Sequence, residues 1–132
     1  MAVERIIIHS EYVKPTHGSL DFKALDAALP PDFHTPQSER RLVVIPGQGV
    51  AGNHTHRRKR EVFFAGGPME LHWQDDQGGT HIEQMQPTTQ EVVLFVVNQD
   101  TPHAFKNPSQ EPIILFEATT LSEHDSPSSR VI

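Results

Sequence analysis

Short runs of five to nine residues, rich in β-branched and aromatic side chains, alternate along the chain with clusters of proline, glycine and small polar residues. This rhythm predicts short strands joined by tight turns. The strands fall at 4–9, 40–46, 53–57, 61–65, 69–74, 81–85, 92–97, 103–106 and 113–119. A helical period occurs once, at 21–29, where Phe22, Leu25 and Leu29 share a face and Pro30-Pro31 ends the pattern. Residues 32–39 read as loop, and 122–132 as a polar, mobile tail. With no internal repeat and no linker, residues 1–121 form one domain, an all-β sandwich or small barrel carrying one short N-terminal helix. Periodicity does not separate a sandwich from a barrel.

Composition narrows the chemistry. At 132 residues the chain is the size of a single domain. Eleven basic against 17 acidic side chains give a formal charge of −6, which repels phosphate backbones and anionic membrane surfaces. Neither nucleic acid nor membrane is therefore expected as a partner, and the run Arg57-Arg58-Lys59-Arg60, without interleaved aromatics, does not change that. The chain has no cysteine, so disulfides, thiolate metal sites and cysteine nucleophiles are excluded. The early apolar run Ile6–Ile8 is too short for a signal segment or a membrane span, and a cytoplasmic protein is expected. Any metal must sit on the nine histidines and on carboxylates.

His54-Thr55-His56 is a candidate pair of ligands, because residues two apart in a strand share a face and are separated by only about 6.6 Å of rise. Glu61 lies five residues beyond His56, an odd offset that requires an intervening bend. The charged run 57–60 is a natural place for one, since such a run favours solvent. Beyond the bend Glu61, Phe63 and Ala65 share a face, so Glu61 heads an otherwise apolar inward stripe. A carboxylate there is costly unless paired with a cation, either a metal ion or a neighbouring arginine. Downstream, Pro102 sets the entry to a strand in which His103 and Phe105 face the same way.

These residues carry a resemblance. Gly47-Gln48-Gly49-Val50-Ala51-Gly52-Asn53-His54-Thr55-His56, then Glu61 and the pair Gly66-Gly67, resembles the first conserved motif of the cupin superfamily. Val96-Val97-Asn98-Gln99-Asp100-Thr101-Pro102-His103, followed by Asn107, resembles its second, with Asn98-Gln99-Asp100 in place of the usual Pro-x-Gly turn. Asn and Asp tolerate left-handed backbone better than most residues, so the turn can still form. The resemblance implies a double-stranded β-helix, the jelly-roll cupin barrel, over about 40–119. Its interior would hold a divalent metal (Fe, Mn, Zn or Ni) on His54, His56, Glu61 and His103. A narrower similarity, around Gly52–His56, Lys59 and Glu61, is to cupins of polysaccharide and nucleotide-sugar biosynthesis.

The function this implies is a metal-binding cupin enzyme, an oxygenase or isomerase acting on a small polar molecule such as a sugar derivative. The alternatives are a non-catalytic small-molecule-binding or sensory cupin and a metal-independent sugar epimerase or ketoisomerase. By strand parity, Phe63, Phe105 and Trp73 are candidate substrate-binding residues, with core packing the stronger reading for Trp73. By analogy with cupins, a homodimer formed through an outer sheet or by exchange of the strand at 5–9 is expected.

Overall fold

The computed structural model describes residues 2–9, 12–13, 18–88, 91–121 and 129–132. In chain order the elements are β1 (Val3–His9), β2 (Tyr12–Val13), β3 (Gly18–Ser19), α1 (Phe22–Ala27), a 3-10 turn at Pro31–Phe33, β4 (Glu39–Ile45), β5 (Val50–His54), β6 (Glu61–Ala65), β7 (Met69–Gln74), β8 (Thr80–Met85), β9 (Glu91–Val97), β10 (His103–Lys106) and β11 (Ile113–Thr119). Five strands form one sheet in the order β1-β9-β6-β11-β4, and four form a second in the order β5-β10-β7-β8. Every pairing in both is antiparallel. The strands cross between sheets in the jelly-roll manner expected from the sequence, with one short helix before them.

The central strands β6 and β9 of the larger sheet are buried on both faces for most of their length, which explains why they read as nearly unbroken apolar runs. On the inner face Phe63, Phe95, Val97 and Leu115 pack against Leu71, Trp73 and Phe105 of the smaller sheet. On the outer face Val62, Leu94, Val96 and Ala118 are covered by Leu29 and Phe33 from the segment that follows α1. α1 begins at Asp21, whose carboxylate accepts from the Ala24 N–H at 3.0 Å, an N-cap. The expected apolar face of this helix is only partly used. Leu29 is buried, whereas Phe22 is 81% exposed, because a six-residue helix is too short to lay a full stripe on the sheet.

β1 pairs with β9 of its own chain along its whole length. Of the polar tail expected at 122–132, residues 122–128 lie outside the described set, while 129–132 are hydrogen-bonded to β5. Among the described residues no helix is long and apolar enough to cross a membrane.

Asn107 ties together the loops at the end of the barrel opposite the turn before β10. It is fully buried. Its Nδ2 donates to the carbonyls of Ile45, Pro46 and Glu111 at 2.7–3.1 Å, and its Oδ1 accepts from the backbone N–H and hydroxyl of Ser109. Removing one side chain would leave several buried polar groups without a partner, each costing ~1–3 kcal/mol, offset in part where water can reach them. Asn107→Ala is therefore expected to lower the unfolding free energy by about 2–3 kcal/mol in urea denaturation, with metal content per folded chain unchanged.

Candidate metal centre

A β-bulge aims the first histidines. β5 pairs with β10 so that Ala51 faces Phe105 and Gly52 faces Ala104, yet His54 faces His103, leaving Asn53 as an extra residue. Ala51 and His54 are three apart and in a regular strand would point to opposite faces; the bulge turns both toward the interior. The bulge needs left-handed backbone, with φ +94° at Gly52 and +61° at Asn53. Glycine adopts this without penalty, and asparagine is among the few other residues that do so readily. The expected strand at 53–57 is thus displaced to Val50–His54, and His56 comes from the loop beyond it. The Asn53 side chain accepts from the N–H groups of Val131 and Ile132 at 2.8 and 3.1 Å, so the final residues brace the bulge.

The turn before β10 holds the other two imidazoles. Asp100, at φ +63°, supplies the left-handed residue at the position where the motif that the sequence resembles has glycine. Its N–H donates to the His56 carbonyl at 2.7 Å, fixing the His56 loop. One residue later the Thr101 carbonyl accepts from His103 Nδ1 at 2.9 Å. A carbonyl can only accept, so Nδ1 carries the proton, and in the neutral ring Nε2 presents a bare lone pair.

That lone pair faces Glu61 at the head of β6. Glu61 Oε1 lies 3.1 Å from His103 Nε2 and 3.1 Å from His56 Nε2, and all three residues are buried. Oε1 itself accepts no well-directed hydrogen bond. Burial alone would raise the Glu61 carboxyl, but hydrogen bonds and charge from His103 and His56, when those rings carry a proton toward it, outweigh burial and hold the group well below the usual carboxylate range. With the rings neutral, an ionised oxygen and an imidazole lone pair 3.1 Å apart repel, and a metal cation between them satisfies both where a proton would otherwise have to. The three ligand atoms lie within 4.8 Å of one another. Two donors bound ~2.1 Å from one ion at right angles would be ~3.0 Å apart, so the cluster has the size and donor set of a divalent metal site. Ring orientation set by a backbone carbonyl on the far nitrogen is also characteristic of metal-ligating histidines.

Of the four expected ligands, the structure brings His56, Glu61 and His103 together. His54 stands beside them on the cavity wall, exposed, with its ring centre 5.9 Å from that of His56. Partial burial, then the neighbouring His56 and His103, lower its pKa and so favour the neutral, ligand-competent ring. The cluster opens into a cavity of about 330 Å³. Phe63 and Phe105 line it, as parity predicted, with ring centres 4.5 Å apart. Trp73 does not line this cavity. It packs in the core, and His81 stacks on it at 4.1 Å. His81 also bonds Asp75, and His72 bonds Glu70.

Three cavity residues were not expected. Lys59 was read as part of a solvated run, but the run divides: Arg57 and Arg58 are exposed, Arg60 reaches Asp32 and Asn98, and Lys59 is buried with Nζ 3.7 Å from Glu61 Oε2. Glu61 thus has a lysine as neighbour where an arginine had been weighed. Glu117 also lines the cavity; burial first, then contact with Glu61, push its carboxyl up to about 7. The signal was present in β11, where Glu117 falls at the same parity as inward Leu115 and Thr119. Arg41, opposite Glu117 on β4, completes the rim.

No protein-family profile matches the chain, and no curated protein matches it in sequence. Solved structures match it in fold. The capsular polysaccharide assembling protein CapF of Staphylococcus aureus is 16% identical, over 74% of this chain and 28% of its own, with a TM-score of 0.64. Oxalate decarboxylase of Bacillus subtilis, which has Mn(II) centres, is 16% identical over 70% of this chain and 24% of its own, with a TM-score of 0.60. An oxalate oxidase in complex with the substrate analogue glycolate matches 94% of this chain and 54% of its own at 11% identity, with a TM-score of 0.60. The chain spans less than a third of the CapF length. The fold is a cupin fold, and inside it lies a buried His/Glu/His cluster that could bind a metal.

If His56, Glu61 and His103 are the central ligands, His56→Ala and His103→Ala should each reduce bound metal at least tenfold after dialysis, while far-UV circular dichroism keeps its strand signal. His54→Ala, at the rim, should reduce it less. Elemental analysis of the folded fraction measures this, and full occupancy in the His103 variant would remove the assigned site.

Proposed function

We propose that this protein is a metal-dependent cupin enzyme, an oxygenase or isomerase, acting on a small polar molecule such as a sugar derivative. The observation that carries this reading is Glu61 Oε1, buried without a directed hydrogen bond and facing the bare Nε2 of His103, whose tautomer Thr101 dictates. The metal would be held by His56, Glu61 and His103, with His54 as the fourth ligand. A divalent ion bound there supplies Lewis acidity or a binding point for oxygen.

The chain's own residues shape what can reach that point. Phe63, Phe105 and Leu115 form an apolar floor that restricts water and strengthens polar contacts above it. Glu117 brings a group able to carry a proton to the same space. The cavity volume suits one small molecule. The fold similarity to CapF, a capsular polysaccharide assembling protein, favours a sugar derivative, and the similarity to the Mn(II)-containing oxalate decarboxylase favours a redox-capable metal such as manganese.

Freshly purified protein, or protein reconstituted with Mn(II) or Fe(II), is expected to hold close to one ion per chain at neutral pH. Occupancy should fall as the pH drops through about 6, because an imidazole that takes up a proton can no longer ligate. Metal analysis after equilibration across pH 8 to 4 tests both statements. No bound ion at neutral pH, or undiminished occupancy at pH 4, would refute the proposed site.

A further inference from the structure

Lys59 is the group in the cavity that the metal centre does not explain. Its side chain is 8% exposed and lines the cavity. Its partner Glu61 Oε2, at 3.7 Å, is beyond hydrogen-bond length, and among the described residues nothing accepts a hydrogen bond from Nζ. An ammonium has three donors, and with no acceptor for them among the described residues they are left to whatever occupies the cavity that Lys59 lines. A salt bridge to Glu61 alone is a poor reason for its place, since a metal ion there would already neutralise that carboxylate. Arg41 adds a second cation at the rim. Even with Glu61 and Glu117 both ionised, a divalent ion together with Lys59 and Arg41 leaves two positive charges in excess in a partly apolar space.

We propose that the cavity takes a small carboxylate, held by the Lys59 ammonium beside the metal centre, with Arg41 drawing it in from the rim. This rests on the metal-dependent reading above and specifies the class of molecule it acts on: an organic acid or the acid form of a sugar, not a neutral sugar. A carboxylate suits the site better than a phosphate. Inorganic phosphate could draw on the same two excess positive charges, but it has no carbon skeleton to lay on the apolar floor, and titration with both compares the two directly. The apolar floor of Phe63, Phe105 and Leu115 suits the carbon skeleton of such an acid.

The test is calorimetric titration of Mn(II)-loaded protein at pH 7.5 with matched probes: malonate against malonamide, glucuronate against glucose, and inorganic phosphate. Metal content is measured on the same samples. At least one carboxylate should bind at least tenfold more tightly than its neutral counterpart and than phosphate. Lys59→Met should remove that preference while metal content stays within twofold of wild type, and Lys59→Arg should restore most of it. Arg41→Gln should weaken binding less, chiefly at low salt.

Equal affinity for charged and neutral probes, no binding of any probe, tighter binding of phosphate, or an unaltered preference in folded Lys59→Met would each overturn the carboxylate assignment. Full metal with no carboxylate preference sinks this inference alone, whereas absence of metal sinks the metal-dependent reading and this inference together.

Discussion

A carboxylate held 3% exposed inside a β-barrel, with imidazole nitrogens close to one of its oxygens, is an electrostatic demand that the rest of the structure meets. Burying an ionised group is expensive unless an opposite charge lies next to it. Here the nearest ring on one side has its tautomer set by a backbone carbonyl so that it offers a lone pair instead of a proton. A metal cation would relieve the repulsion that the neutral ring creates, and the donor set of two imidazoles and a carboxylate suits a borderline divalent metal. Position, burial and tautomer therefore converge on one chemistry.

The scaffold keeps that geometry stiff at little cost. The centre of the larger sheet is covered on its outer face by Leu29 and Phe33 and on its inner face by the second sheet, so β6, which carries Glu61, is clamped from both sides. The two histidines are not on long free loops. Asp100 and Thr101, neighbours in a single turn, use their backbone groups to hold the His56 loop and the His103 ring respectively. A change in that turn would thus move both imidazoles at once. The bulge at Asn53 does the same for His54, and the hydrogen bonds from residues 129–132 tie it to the other end of the chain.

Much of this was legible from residue order. Alternating strand and turn composition predicted the all-β layout, and the parity of Glu61, Phe63, His103 and Phe105 predicted that they face one interior space. Asp100 adopting positive φ explains why Asn98-Gln99-Asp100 can replace a glycine turn: the requirement is backbone conformation, which aspartate can meet. Lys59 escaped the same reasoning because a run of four cations reads as solvated when its members are considered together. In the fold the run is a bend, and its side chains divide between solvent, the cavity and an ion pair with Asp32.

The sequence alone determined most of the elements and the identity of the candidate ligands, because strand period and side-chain chemistry are local properties carried by adjacent residues. Tertiary structure decided which groups share a volume. Glu61 and Glu117 lie 56 positions apart along the chain, and only the pairing of β6 with β11 sets them on one wall. It also decided that a lysine from a polar run points inward, that Phe22 stays in solvent and that Trp73 is core. These outcomes depend on distances between strands remote in sequence and on how neighbouring side chains fill the space between two sheets, and no local pattern encodes either.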